Sequence, residues 1–407
     1  MKDRIKSIEA YEILNAKGNP TVAVTMKSEN GAEATASVPA GTSTGTNEAF
    51  VLTDHESRYQ GKGVRKAVGN VSDIIAPALI GHEISSIEEI DGIMLELDGT
   101  KNKSRLGANA ILPVSVAFAK VRAKSLGKSL YATLTDRNHY AIPNIIATVI
   151  AGGEFGVSGL EFEDYLYIFH EFDSFSDQLE ALVKLRKSLE KNITELYGPC
   201  MEDGGAIAAP VESTDKAFTI MMDTARQEGY EGKVGLGLDV AASELYDRQS
   251  DRYKVGKGML DRKGLASYYR ELCTRHPLEY IEDGFDENDE EGFCLIRDFP
   301  FPCQNVGDDL FTSNITFLEK YHRCANGLLL KINQIGTVSE AIKAAAYAQS
   351  KGMDVTVTLR SGETDDDFIA DLAVAVGAKQ IKLGSPVRME RNVKYNRLLR
   401  IANELGL

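Results

Sequence analysis

Val234-Gly-Leu-Gly-Leu-Asp239 is a short apolar run that ends on a carboxylate, and the rest of the chain repeats its pattern. Similar runs cover residues 278–281, 304–307, 328–330, 355–358 and, more briefly, 380–381. Each leads into a charged residue and then into a segment of helical period, the texture of repeated βα units. The charged residues are Asp239, Glu282, Asp308, Lys331, Arg360 and Lys382, separated by 43, 26, 23, 29 and 22 positions. Each spacing suits one unit of a (β/α)₈ barrel, and the longest leaves room for an insertion. The C-terminal strand ends of such a barrel converge on one mouth. Three carboxylates and three cations would then share a single cavity.

Working outward toward the N-terminus, the pattern changes. Residues 21–28 and 32–38 alternate in polarity around Asn30-Gly31, a hairpin signal. Helical periods follow over roughly 62–80, 86–96 and 107–126. The polar stretch Asp136-Arg137-Asn138-His139 marks a boundary. The expected organisation is an α+β cap over residues 1–136 and an α/β barrel over 140–407.

The whole chain, 407 residues with 43% hydrophobic and 26% charged, has ample material for two cores. No apolar run approaches the ~20 residues that cross a bilayer, and Met1-Lys2-Asp3-Arg4 opens no secretory signal. Five cysteines without CxxC spacing argue against a zinc ribbon or disulfide framework, and a reducing cytoplasm is expected. A formal net charge of −14 repels nucleic acid and leaves no membrane-binding character. A small anionic substrate requires cations gathered in one pocket, which Lys331, Arg360 and Lys382 would supply.

Asp239, Glu282 and Asp308 make an all-oxygen ligand set, which suits Mg²⁺ better than Zn²⁺. Such an ion neutralises charge on a substrate carboxylate as an α-proton leaves. A lysine facing the same ion has its ammonium form disfavoured and becomes a base near neutral pH. Lys331 and Lys382 are the candidates.

Several longer runs resemble one known family. They are Asn15-Ala-Lys-Gly-Asn-Pro-Thr21, Gly41-Thr-Ser-Thr-Gly45, Glu96-Leu-Asp-Gly-Thr100, Leu106-Gly-Ala-Asn-Ala-Ile-Leu112, Gly237-Leu-Asp-Val-Ala-Ala-Ser-Glu244, Ile281-Glu-Asp283, Gly307-Asp-Asp-Leu310, Leu328-Leu-Leu-Lys-Ile-Asn-Gln-Ile-Gly336 and Arg360-Ser-Gly-Glu-Thr364. On these the chain is similar to the enolases over nearly its full length. The resemblance implies an N-terminal α+β cap on a modified TIM barrel, assembled as a homodimer or octamer. It implies reversible dehydration of 2-phosphoglycerate to phosphoenolpyruvate through an enolate intermediate. Asp239, Glu282 and Asp308 would bind the first Mg²⁺, and Ser43 a second that arrives with substrate. Lys331 would remove the α-proton, with Asp203 and Asp164 as the acidic residues of the dehydration half. Lys382 would grip the substrate carboxylate, Arg360 and Ser361 its phosphate, with Gly41 and Glu163 completing the contacts.

The departures from the family cluster together. Gly152-Gly153-Glu154-Phe155 places Phe155 where the family carries a histidine, and Leu359 replaces a second histidine before Arg360-Ser361. A family Gln-Glu pair becomes Glu163-Asp164, and an Asp-Glu-Gly-Gly loop becomes Glu202-Asp203-Gly204-Gly205. Each Glu-to-Asp change withdraws a carboxyl by about one bond, ~1.5 Å. All of these positions belong to the half of the site that expels the leaving group. The sequence therefore leaves a second reading open, a related lyase acting on another phospho- or phosphono-carboxylate. A third is a non-catalytic binding protein. A further departure, Ala23, stands where the family usually has an interface glutamate.

Overall fold

The computed structural model describes residues 3–41, 45–156, 159–300 and 302–407. The chain opens with an antiparallel meander of β1 (Ile5–Leu14), β2 (Pro20–Ser28) and β3 (Glu33–Ser37). The hairpin at Asn30-Gly31 is present, with Gly31 at a φ of +92°, a region glycine enters without penalty. Strand β1 was not legible in the polarity pattern. Lys6, Glu9 and Glu12 interrupt its apolar residues, and its register slips between Ile5 and Ser7. The alanine-rich helix Ala108–Leu126 packs on β2 and β3. The other expected helical periods appear as Arg65–Asn70, a π-turn Val71–Ile75 and Ala76–Leu79, followed by Ile87–Asp98.

From residue 144 onward the strands are β4 (Asn144–Ala151), β5 (Asp164–Phe169), β6 (Met201–Asp203), β7 (Ala206–Ala208) and β8 (Val234–Asp239). Next come β9 (Tyr246–Asp247), β10 (Arg252–Val255) and β11 (Gly258–Leu260), a small separate sheet filling the long spacing between Asp239 and Glu282. The chain continues through β12 (Leu278–Glu282), β13 (Gln304–Gly307), β14 (Gly327–Leu330), β15 (Asp354–Thr358) and β16 (Gln380–Lys382). Pairing runs β4-β5-β8-β12-β13-β14-β15-β16, and β16 returns to β4, so eight strands close a barrel. The fold is α/β, a modified TIM barrel carrying an α+β cap.

The modification lies at β5, which runs antiparallel to both β4 and β8. Uniform βα units would have made it parallel. Among the described residues, the connection from β4 holds only a short 3₁₀ turn, Gly153–Phe155. Without a crossover helix the chain reverses direction instead. The barrel interior is filled by Ile146, Leu166, Ile168, Tyr280, Val306 and Leu329, a core distinct from the larger one between strands and helices. Crowding there selects Gly237, where a Cβ would stand 2.9 Å from Ile168 Cδ1.

Cap and barrel are tied by buried polar contacts. Ser339 donates its backbone N–H to Asp91 (2.9 Å) and Lys103 pairs with Glu340 (3.1 Å). Lys120 pairs with Asp366 (2.7 Å), and a backbone bridge joins Ala40 to Gly362. Among the described residues, no helix is long and apolar enough to cross a membrane.

Candidate active site

Asp239 and Glu282 are the last residues of β8 and β12, and Lys382 is the last of β16. Asp308 and Lys331 follow β13 and β14 directly, and Arg360 lies two residues beyond β15. All six point toward one mouth, as their spacing predicted. Asp164 arrives there by a different route. Because β5 is reversed, its first residue, not its last, reaches the mouth, paired across from Asp239.

The cleft at this mouth is lined by nine carboxylates, Asp239, Asp308, Glu163, Asp164 and Asp203 among them, against four cations: Lys331, Arg360, Lys382 and Arg391. Such an excess of buried negative charge calls for added cations. Lys382 Nζ stands 2.8 Å from Asp239 Oδ2, 2.9 Å from each oxygen of Glu282 and 3.7 Å from Asp164 Oδ2. Burial opposes its charge, yet Asp239, Glu282 and Asp164 hold the ammonium well above the ordinary lysine range. Burial and Asp239 together push Glu282 well up, while Asp239, desolvated as deeply, is drawn below its usual value by Lys382. Tyr280, rising from the barrel interior, donates to Glu282 Oε2 at 2.9 Å and fixes its orientation.

Across the mouth, Lys331 makes a close ion pair with Asp308 Oδ2, and Gln334 Nε2 donates to Asp308 Oδ1 at 2.8 Å. Ser313 braces both partners, accepting the Lys331 N–H at 2.8 Å and donating to Gln334 Oε1 at 2.9 Å. Burial works against the charge on Lys331, but Asp308, Glu282 and Asp309 outweigh it and keep the ammonium favoured.

The residues fit a hard divalent cation. The donors are all carboxylate oxygens, and an ammonium already sits as a stand-in between Asp239 and Glu282. One cluster competes for attention. Carboxylate oxygens of Asp283, Asp308 and Asp309 lie within 4.8 Å of one another. Asp283, however, spends its two oxygens on the N–H groups of Asp308 (2.9 Å) and Asp309 (2.8 Å) and takes a φ of +42°. It is a brace that fixes the end of β13 against β12.

On the cap side, Glu48 pairs with Arg360 at 2.8 Å, both about 6% exposed. The Glu48 carboxylate holds the guanidinium where an anionic group of a substrate would be received. Ser361 and Leu359 line the same wall. Gly41 follows the Ala40–Gly362 bridge (2.9 and 3.0 Å), beside Ser361 but outside the lining of the cleft. Ser43 lies outside the described residues. Opposite, Phe155 receives Lys17 of the cap over its ring at 5.3 Å, a cation–π contact at a position expected to be histidine. Asp164 accepts from Thr148 at 3.0 Å, and burial raises its pKa against the pull of Lys382. Burial, Asp239 and Asp164 push Glu163 well up.

Glu48, Gln334 and Thr148 were not singled out from the sequence. Gln334 and Glu48 lie within or just after quoted motif runs, where each neighbour offered an equally polar candidate. Thr148 sits on β4, a strand no spacing had marked.

The barrel portion, residues 139–407, matches the family model described as "Enolase, C-terminal TIM barrel domain", and residues 5–134 match "Enolase, N-terminal domain". The chain belongs to the enolase family. Enolase of Methanopyrus kandleri is 45% identical over 411 residues, covering 99% of this chain and 96% of that protein. Enolase of Pyrococcus furiosus is 44% identical over 409 residues, covering 98% and 95%. Enolase of Methanocaldococcus jannaschii is 43% identical over 408 residues, covering 99% and 96%. The chain is thus an enolase-family lyase of the phosphopyruvate hydratase kind. The alternative substrate that Phe155 and Leu359 had left open is not favoured.

Proposed function

We propose that Lys331 removes the α-proton of 2-phosphoglycerate, with Asp203 and Asp164 assisting departure of the C3 hydroxyl as water to leave phosphoenolpyruvate. The observation carrying this reading is the gathering of Asp239, Glu282 and Asp308 with two lysines in one acidic cleft at the barrel mouth. Asp239, Glu282 and Asp308 would hold the first Mg²⁺, which supplies Lewis-acid stabilisation of charge developing on the substrate carboxylate. A second would join at Ser43 with substrate. Lys382, beside Asp239 and Glu282, receives the substrate carboxylate. Arg360 exchanges Glu48 for the phosphate, with Ser361 beside it and Gly41 and Glu163 flanking. A general acid or base placed within ~2.6–3.2 Å contributes ~10²–10⁴-fold, so Asp203 and Asp164 need a closed site to reach.

The protein is assigned to the cytoplasm, with a small phospho-carboxylate as its partner and no nucleic acid or membrane. A homodimer, or an octamer built from it, is supported by exposed apolar residues on cap and barrel: Leu14 (57%), Met201 (71%) and Met389 (68%). Ala23 removes the glutamate of an interface ion pair, a contact worth only ~0–1 kcal/mol at a surface, so the dimer is expected to survive its loss. Light scattering should give particles above the 44.5 kDa monomer. The decisive assay follows phosphoenolpyruvate formed from 2-phosphoglycerate in Mg²⁺. Chelation should abolish turnover and lower the melting temperature, and re-addition should restore both. Turnover that survives complete chelation would refute the assignment.

A further inference from the structure

The five cysteines read as isolated thiols in the sequence, but two pairs come together in the fold, Cys273 with Cys303 and Cys294 with Cys324. Cys294 lies on the helix Glu290–Arg297 after β12, and Cys324 lies between the helix Ile315–Tyr321 and β14. Their Sγ atoms stand 2.8 Å apart. A disulfide bond is ~2.0 Å long, so a further approach of ~0.8 Å would suffice to form one.

The backbone around the pair is already held in place. Asn305, fully buried on β13, donates from one Nδ2 to the carbonyls of Phe293 (2.7 Å) and Cys324 (2.9 Å). The Arg297 guanidinium donates to the carbonyls of His322 (3.3 Å) and Arg323. These contacts flank both cysteines and hold the two segments side by side.

We propose that Cys294 and Cys324 are a redox-active dithiol that closes to an intramolecular disulfide when a low-molecular-weight disulfide is available. Cys294 is partly exposed and Cys324 only 2% exposed, which sets the order of events. The Cys294 thiolate attacks one sulfur of the reagent RS–SR, forming a mixed disulfide and releasing RS⁻. Cys324, whose thiol is held protonated by burial, by Cys294 and by the Glu290 carboxylate 3.7 Å away, gives up its proton as it attacks the Cys294 sulfur and releases the second RS⁻. Two protein thiols are oxidised, one reagent disulfide is reduced, and the two protons end on the released thiols.

The crosslink would enclose β13 and Asp308 in a covalent loop. Cys324 precedes the start of β14, on the face of the barrel opposite the mouth, where residues govern stability rather than chemistry. Oxidation is therefore a stabilising modification that leaves turnover in place.

The test incubates the Mg²⁺-loaded protein with oxidised glutathione, then combines thiol titration, peptide mapping, melting and assay. Titratable thiols should fall from five to three, with one linked peptide joining Cys294 to Cys324. The melting temperature should rise by ~2–8 °C, reversed by dithiothreitol, with turnover unchanged. Cys324→Ser should trap a glutathione adduct on Cys294, and Cys294→Ser should yield no crosslink. A titre that stays at five, a persistent adduct on the unmodified sequence, or a linkage between Cys273 and Cys303 instead would each overturn the proposal.

Discussion

On one side of the barrel mouth, Asp239, Glu282, Asp308, Lys331, Arg360 and Lys382 arrive at the ends of parallel strands. On the other, Asp164 arrives at the start of a reversed strand and Asp203 at the end of the three-residue β6. The first side is rigid and interlocked. Tyr280 holds Glu282, Asp283 holds the β13 end, and Ser313 and Gln334 hold Lys331 and Asp308. The second is rebuilt, with Phe155 engaged by Lys17 of the cap and Asp164 tethered to Thr148. On the proposed reading, proton abstraction rests on strand ends that the fold itself positions, and leaving-group departure on a reversed strand start and a three-residue strand.

The largest expected effect comes from the rigid side. Lys331→Ala should lower both α-proton exchange and phosphoenolpyruvate formation by ~10⁴-fold or more, since base and charge partner are lost together. A variant that folds normally yet keeps exchange would move the base elsewhere and break the comparison. Next comes the rebuilt side. Asp203→Glu combined with Leu359→His should raise dehydration several-fold while exchange stays nearly level. Equal gains in both would mean the two sides act as one.

A third effect, on stability and not on turnover, lies at the cap–barrel seam and separates structural pH effects from chemical ones. Asp91 accepts the N–H of Ser339 with one oxygen, while its other buried oxygen has no partner among the described residues. Burial, only partly offset by such hydrogen bonds, raises its pKa from 3.8 to about 6. Between these values the folded chain holds a proton that the unfolded chain has released, so this group's contribution to stability falls as pH rises. The fall is complete above pH ~6 and amounts to ~3 kcal/mol, taking 1.36 kcal/mol per unit. Asp91→Asn should flatten the urea midpoint between pH ~4 and ~6 relative to the parent. Parallel curves for the two proteins would contradict this.

Legibility in the sequence followed the same division. Buried parallel strands read as plain apolar runs, and their functional residues come immediately after them, so the six charged ends and their common mouth were readable. β4 and β5 were not. β5 runs antiparallel to both neighbours, which makes Asp164 the first residue of its strand instead of the last. Asp203 sits on β6, whose residues are half-buried or exposed and carry no apolar signature. These dehydration residues were assigned through family resemblance alone. The charge pair of Glu48 with Arg360 joins residues 312 positions apart, a contact only the docked cap creates.

The proposed division of labour across the mouth is tested in one experiment by Asp203→Asn. In D₂O, the variant and its parent would be given 2-phosphoglycerate with Mg²⁺, and deuterium at C2 followed alongside phosphoenolpyruvate. If Asp203 assists only departure of the hydroxyl, product formation falls by ~10²–10⁴-fold while exchange stays within a few-fold of the parent. If exchange and product fall together, the two sides of the mouth are one catalytic unit and the division is wrong.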